Sequence, residues 1–167
     1  MYEMRIYLLN NTKPYREGDE EYSGDWFDCP VDFEEIKEKL GVEHEEQLMI
    51  ADYELPFHVN TDTSIWEVNE NCRKVQEIEG TPVGNEIEAI QKKWFYSFED
   101  FFENKEEIRH YEAYDGESLA RILLTEEQLY GEIPVALQNH IDYASIGQEL
   151  EANDEYLFTT SGVFRYR

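Results

Sequence analysis

The stretch GEIPVALQNHIDYASIGQEL, residues 131–150, combines helix-breaking glycines with a regular apolar repeat. Gly131 interrupts the segment before it, and Pro134 suits the first turn of a helix, where a backbone N–H is not needed. Apolar residues then recur at spacings of three and four, which is one face of a helix, at Ile133, Leu137, Ile141 and Ala144. The periodicity predicts a helix in the core of a small domain, interrupted or ended at Gly147.

The segments on either side of this stretch complete a mixed unit. Residues 117–124 have the period of a helix, residues 108–114 alternate weakly as a strand does, and residues 156–166 predict a hairpin around Ser161-Gly162. We therefore expect a C-terminal α+β unit at residues 106–167.

The first part of the chain predicts a small sheet with one helix. Strands are indicated at 6–9, 25–29 and 48–51, with a polar loop at 16–23 and an acidic turn at 52–57 closing the last strand. Asp32, with Glu35 three residues later, predicts the start of a helix that ends at Gly41. We expect an N-terminal α+β unit at residues 1–61.

The middle of the chain predicts short helices. Ser64 and Glu67 form a capping pair at the start of an apolar stripe, Ile65, Val68, Cys72 and Val75. A second stripe contains Ile87, Ile90 and Trp94, and Ser97 caps a third, short helix. We expect a helical unit at residues 62–105, so that the whole chain is an α+β protein of three small units.

The chain is strongly acidic along its whole length. Its 167 residues include 39 Asp and Glu against 14 Lys and Arg, which gives a net charge of -25. Because 41% of the residues are hydrophobic and 14% aromatic, there is enough apolar area for a folded core. The charge therefore belongs to a folded surface, which should repel nucleic acid and anionic membranes and attract basic proteins.

The cysteines and the hydropathy indicate a cytoplasmic protein. Cys29 and Cys72 show neither metal-site spacing nor a disulfide framework, so we expect both to be reduced and at least half-buried. No stretch approaches the length of a membrane span, and the charged first residues do not suit a signal peptide.

No motif in the sequence is typical of a catalytic site. The four histidines share no metal-type spacing, and there is no glycine-rich phosphate loop or serine elbow. Glu126 and Glu127 would act as general acid and base only in an apolar cleft that raised a pKa. A solvated face is the commoner explanation of such a pair, so we expect no enzyme activity, no cofactor and no metal.

Several motifs, in order along the chain, resemble the ArdA antirestriction protein family. Residues 131–150 resemble its signature region, and the other matching segments are WF at 26–27 with Pro30, FEEI at 33–36, DYELPF at 52–57 and TSGVF at 160–164. The resemblance implies an elongated chain of small domains that forms a homodimer through the last one. The apolar stripe of Ile133, Leu137, Ile141 and Ala144 lies in the segment that corresponds to this dimerising domain, so we expect the dimer interface there. The alternative is that the stripe belongs wholly to the core of its own unit.

The resemblance also implies a function for the acidic residues. DNA carries one charge per roughly 1.7 Å of duplex, and carboxylates four residues apart on a helix stand about 5–6 Å apart, like successive phosphates of one strand. Two predicted helices have this spacing, at Glu34 with Glu38 and at Glu99 with Glu103. We expect a surface that mimics DNA, formed by nine residues termed the candidate acids: Glu34, Glu35, Glu38, Asp52, Glu54, Glu99, Glu103, Glu126 and Glu127.

The function implied by the resemblance is inhibition of type I restriction-modification enzymes. The acidic surface would occupy the DNA-binding groove of the specificity and methyltransferase subunits, to the benefit of mobile genetic elements that enter a restricting cell. Residue chemistry alone leaves two alternatives: an acidic adaptor for another basic or DNA-binding protein, such as a nucleoid protein, and a small carboxylate-dependent hydrolase.

Overall fold

A computed structural model describes residues 2–12 and 24–167 of the chain. The chain divides into two compact units, Met1–Gly80 and Thr81–Arg167. Each unit combines helices with a three-stranded antiparallel sheet, which confirms the predicted α+β class. The predicted loop at 16–23 lies outside the described residues, and the division into three units at 61 and 105 stays a prediction.

The sheet of the first unit has the order β2-β1-β3. Its strands are β1 (Arg5–Asn10), β2 (Gly24–Asp28) and β3 (Leu48–Glu54). Alternation along β1 buries Ile6 and Leu8 completely, because successive side chains point to opposite faces. Strand β3 is three residues longer than the sequence predicts, since Asp52, Tyr53 and Glu54 pair with β1 instead of forming a turn.

Helix α1 (Phe33–Leu40) follows from its capping residues and its apolar period. The Asp32 carboxylate accepts a hydrogen bond from the Glu34 N–H, and Gly41 ends the helix with a φ of 69°. Ile36 and Leu40 point into the core, so the acidic positions of the helix face outward. The predicted helix is confirmed at both ends.

The apolar stripe of helix α2 (Ile65–Ile78) is buried, as predicted. The Ser64 hydroxyl caps the start of the helix by accepting a hydrogen bond from the Trp66 N–H. The buried side chain of Asn69 accepts a hydrogen bond from the Val31 N–H at 2.7 Å and donates one to the Val31 carbonyl at 2.9 Å. These two bonds attach α2 to the segment between β2 and α1, and they satisfy a polar side chain that would otherwise be costly to bury.

The two cysteines lie close together in the first unit and are both free. Cys29 is half-buried and Cys72 is fully buried. A hydrogen bond between the two thiols, together with burial, raises the pKa of Cys72 far above its ordinary value. The Cys72 thiol is therefore protonated at neutral pH, and it serves as apolar filling of the core.

The second unit begins with three short helices: α3 (Pro82–Asn85), α4 (Ile87–Trp94) and α5 (Phe98–Asn104). Thr81 caps α3, and the Ser97 hydroxyl accepts a hydrogen bond from the Asp100 N–H at the start of α5. The predicted stripe of α4 and the predicted cap of α5 are confirmed.

The remainder of the second unit packs helices on a sheet of order β4-β6-β5. The strands are β4 (Ile108–Tyr111), β5 (Tyr156–Thr159) and β6 (Gly162–Tyr166), and the last two form the predicted hairpin. Helix α6 (Gly116–Arg121) continues into one π-helical turn, Ile122–Glu126. The core beside the sheet consists of Tyr111, Ala113, Leu119, Leu123, Tyr156 and Val163.

The prediction of a single helix in residues 131–150 is wrong. The stretch forms two helices, α7 (Val135–Gln138) and α8 (Tyr143–Glu151). The chain turns between them because the Asp142 carboxylate accepts a hydrogen bond from the Ser145 N–H at 3.0 Å and so caps a new helix.

The prediction that Gly147 interrupts or ends the helix is also wrong, because Gly147 lies inside α8. There its backbone packs directly on Gly116, and a Cβ atom added to Gly147 would overlap the backbone of Gly116 and Glu117. The glycine therefore serves the close crossing of α6 and α8 and not a helix end.

Candidate interaction surface

All nine candidate acids are exposed. Three lie on α1, two on β3, two on α5 and two at the end of the π-helical turn. None of the acidic residues in ranges 2–12 and 24–167 is buried, so the charge of the described chain is presented to solvent. The structure distinguishes the candidate acids by their partners.

The two acids in the first turn of α1 are paired with lysines of the same helix. Glu34 lies 3.7 Å from the Lys37 ammonium, and Glu35 lies 3.1 Å from the Lys39 ammonium. Spacings of three and four residues place these groups side by side on the helix surface. Part of the negative charge that α1 presents is therefore balanced locally.

Glu54 is held more tightly than any other candidate acid. Arg5 lies directly opposite Glu54 in the β1–β3 ladder, and its guanidinium donates from Nε to Oε2 at 2.6 Å and from Nη2 to Oε1 at 2.8 Å. The hydrogen bonds from Arg5 lower the pKa of Glu54. Both oxygens of the Glu54 carboxylate already accept hydrogen bonds from Arg5. A basic side chain of a partner would therefore have to replace at least one of these bonds in order to contact Glu54 directly.

The other six candidate acids have no ion pair among the described residues: Glu38, Asp52, Glu99, Glu103, Glu126 and Glu127. On α5 the aromatic side chains of Phe98 and Phe101 are buried, which fixes Glu99 and Glu103 on the solvent side, one turn apart. Their carboxylates are free to accept hydrogen bonds from outside the chain.

The four residues of the predicted dimer interface do not share one environment. Ile133 and Ile141 are half-buried and pack against a small core of Ala120, Leu124 and Tyr143. Leu137, on α7, is 56% exposed, and Ala144, on α8, is also exposed. The stripe is therefore divided between the interior of the unit and its surface.

Large apolar side chains that the sequence analysis did not single out are also exposed. In the second unit Leu129 and Tyr130 directly precede residues 131–150, and Val135 lies within them at the start of α7. Among the described residues of the first unit, Trp66 is exposed, at 51%. A helical projection could have found Trp66, because it follows Ile65 directly and so falls outside the buried stripe of α2.

The described residues do not form a metal-binding cluster. No cluster of three or more His, Cys, Asp or Glu side chains with metal-binding geometry occurs in ranges 2–12 and 24–167. Within the same residues, no helix has both the length and the apolar character that a membrane crossing requires. The Glu126-Glu127 pair is exposed to solvent instead of lying in an apolar cleft.

Comparison with known proteins gives one result that covers nearly the whole chain. No curated protein matches the sequence significantly. The family model described as "Antirestriction protein (ArdA)" matches residues 7–165. Proteins of this family are inhibitors that act against restriction-modification enzymes and not enzymes themselves. With the match extending over both compact units and their exposed acidic surface, the chain belongs to the ArdA antirestriction protein family.

Proposed function

We propose that this protein inhibits type I restriction-modification enzymes as an acidic mimic of DNA, bound in the DNA-binding groove of the specificity and methyltransferase subunits. Membership of the ArdA family provides the antirestriction activity. The observation that supports mimicry is the set of six exposed candidate acids without an ion pair among the described residues. Each can accept a hydrogen bond from a basic side chain without breaking a pair of its own.

The spacing of the acids supports the same proposal. Glu99 and Glu103 stand one helical turn apart on α5, which corresponds to about 5–6 Å between side chains. A groove that binds DNA presents Lys and Arg to phosphates along each strand. Carboxylates at a similar interval satisfy the same donors, although a row of acids on a helix does not reproduce the base edges.

The inhibitor acts, in this proposal, as a homodimer. Leu137 and Ala144 supply exposed apolar contacts, and Ile133 and Ile141 support them from within the unit. Two chains of net charge -25 together carry the charge of about 85 Å of duplex, or about 25 base pairs. That length is comparable to a DNA site which an enzyme of several subunits covers.

Inhibition by occupancy needs no chemistry from the inhibitor. We propose that the protein has no turnover and no cofactor, and that it acts in the cytoplasm, where restriction enzymes meet incoming DNA. A mobile genetic element that encodes it would protect its own DNA during entry.

Displacement of DNA tests the proposal directly. A fluorescent duplex carrying the recognition site is bound to a purified type I methyltransferase, and the inhibitor is then added at increasing salt. We expect release of the duplex, and we expect this release to weaken as salt screens the carboxylates. Failure to release the duplex would refute the proposal.

A charge-neutral control separates mimicry from other modes of binding. The variant with Glu99→Gln, Glu103→Gln, Glu126→Gln and Glu127→Gln keeps the size of each side chain and removes four charges. We expect it to release the duplex at a concentration at least about tenfold higher. Equal release of DNA from an unrelated nucleoid protein would instead favour the acidic adaptor.

A further inference from the structure

The first unit contains several aromatic rings that are already covered by basic side chains of the same chain. The Arg5 guanidinium lies 4.4 Å from the ring centre of Trp26, and the Lys37 and Lys39 ammonium groups each lie 5.4 Å from the ring centres of Phe33 and Phe27. Such cation–π contacts are favourable because the ring face is electronegative. Three aromatic rings of the first unit are therefore already in contact with cations of the same chain.

Trp66 is different from these rings. It lies in the first turn of α2, where its indole is 51% exposed. The neighbouring Phe33 meets it edge-on, with ring centres 5.8 Å apart, and so supports one side of the indole without covering both faces. No cation of the described residues lies over the Trp66 ring.

Two exposed acidic residues follow Trp66 on α2. Glu67 and Glu70 are both exposed, and Glu70 lies one helical turn further along the same face as Trp66. The Glu70 carboxylate is 3.7 Å from the Lys74 ammonium, a single contact that leaves acceptor positions vacant. An exposed ring next to carboxylates is a site for a planar cation that can stack and donate hydrogen bonds at the same time.

We propose that Trp66 receives an arginine side chain of the target enzyme, with the guanidinium stacked on the indole and donating to Glu70. This inference rests on the proposed function, because a groove that binds DNA supplies exposed arginines. Arginine suits the site better than lysine, since its planar guanidinium stacks on an aromatic ring while its edge donates to a carboxylate. The strongest single contact of the inhibitor is therefore an aromatic ring, whereas its carboxylates contribute many weak contacts.

The test measures the dissociation constant of the complex between the inhibitor and a purified type I methyltransferase. Trp66→Leu keeps an apolar side chain and removes the ring, and Trp66→Phe keeps a ring face. We expect Trp66→Leu to weaken binding at least about tenfold and Trp66→Phe at most about threefold. Tyr96→Leu is the matched control, because Tyr96 is a fully exposed aromatic residue of the second unit; we expect it to leave the constant unchanged.

A double-mutant cycle between Trp66→Leu and Glu70→Gln tests the shared arginine. If one guanidinium contacts both side chains, Glu70→Gln weakens binding in the wild-type background and has little effect once the ring is removed. Circular dichroism tests whether each variant is folded. If Trp66→Leu does not fold, the dissociation constant of Glu70→Gln provides the test, because Glu70 is exposed.

The possible results are distinguishable. A wild-type protein that does not bind the methyltransferase overturns the proposed function and this inference together. Wild-type binding with no loss in Trp66→Leu, an equal loss in Trp66→Leu and Trp66→Phe, or independent effects of Trp66 and Glu70 each overturn the inference alone.

Discussion

The two units present their candidate acids differently. In the first unit Glu34, Glu35 and Glu54 each lie against a basic side chain of the chain itself. In the second unit all four candidate acids lack an ion pair among the described residues. Long-range attraction to a basic partner depends on charge and is similar for both groups, but a direct hydrogen bond needs an oxygen that is not already engaged. Exposure alone therefore does not make a carboxylate a contact residue.

The two units also differ in how many large apolar side chains they expose. Among the described residues, Trp66 is the large exposed hydrophobic side chain of the first unit. The second unit exposes six: Tyr96, Tyr114, Leu129, Tyr130, Val135 and Leu137. Among the described residues, the second unit thus offers more candidate acids without an ion pair and more exposed apolar side chains than the first unit.

The largest expected effect comes from breaking the scaffold of the second unit. Gly147→Ala puts a Cβ atom into the backbone of Gly116 and Glu117, so α6 and α8 have to separate. We expect the free energy of unfolding to fall by about 3 kcal/mol, because overpacking against backbone cannot be relieved by rotating a side chain. Urea denaturation followed by circular dichroism measures it. Ser145→Ala, an exposed change on the same helix, is the control, and an equal loss in both variants would contradict the close crossing.

The next effect concerns the apolar stripe of the second unit. Leu137 is exposed whereas Ile141 packs on the core, so the same substitution should act differently at the two positions. We expect Leu137→Asp to leave a folded protein whose dimer dissociation constant rises at least about tenfold, since the patch meets its own copy across a two-fold axis. Ile141→Asp should instead lower the free energy of unfolding by about 2 kcal/mol.

Sedimentation together with circular dichroism distinguishes these outcomes. An unchanged dimer in Leu137→Asp would move the interface elsewhere on the chain. Unfolding of Leu137→Asp would show that α7 is packed more closely than its exposure indicates.

The contrast between α1 and residues 131–150 shows what the sequence could predict. In α1 the cap, the apolar period and the final glycine agree, and the helix begins and ends where they indicate. In 131–150 the apolar period crosses a capping residue, Asp142, and the local hydrogen bond to the Ser145 N–H prevails over the period. The use of Gly147 depends on Gly116, 31 residues earlier, which no local pattern contains.

The candidate site was predictable to the same limited degree. Alternation and helical period identify which acids face outward, and all nine are exposed. Pairing is different, because Glu54 meets Arg5 only through the register of two strands that are far apart in sequence. The ion pair of Glu35 with Lys39, four residues apart on one helix, could have been predicted from the sequence. The hydrogen bonds from Arg5 to Glu54 could not, because they depend on how the two strands pair in the fold.

A smaller effect compares one paired and one unpaired acid of equal charge. Glu103→Gln removes a carboxylate that is free to accept from a partner, and Glu54→Gln removes one that Arg5 already occupies. We expect both to slow association with a type I methyltransferase similarly, and Glu103→Gln alone to raise the dissociation rate, by roughly threefold. Stopped-flow or surface-based kinetics measures both rates. Equal dissociation rates would erase the distinction between the two units.

The smallest effect tests whether Arg5 holds Glu54 in solution. The guanidinium lowers the pKa of Glu54, so this carboxyl binds its proton less readily in the folded chain than in the unfolded chain, where the ordinary value of 4.5 applies. A carboxyl of this kind stabilises the fold above its unfolded pKa, and the contribution is lost as pH falls through the lower, folded pKa. In Arg5→Gln we expect the pKa of Glu54 to return towards 4.5 and the acid-dependent loss of stability below that pH to become shallower. The change should be slight, because both side chains are nearly half exposed and solvent screens the pair.

Carboxyl NMR titration measures the pKa of Glu54, and urea midpoints at neutral and acidic pH measure the stability. Arg73→Gln is the matched control, since Arg73 is exposed and forms no ion pair with a described residue. If Glu54 titrates at its ordinary value in the wild type, its oxygens are available after all, and the candidate acids of the two units would have to be treated as equivalent.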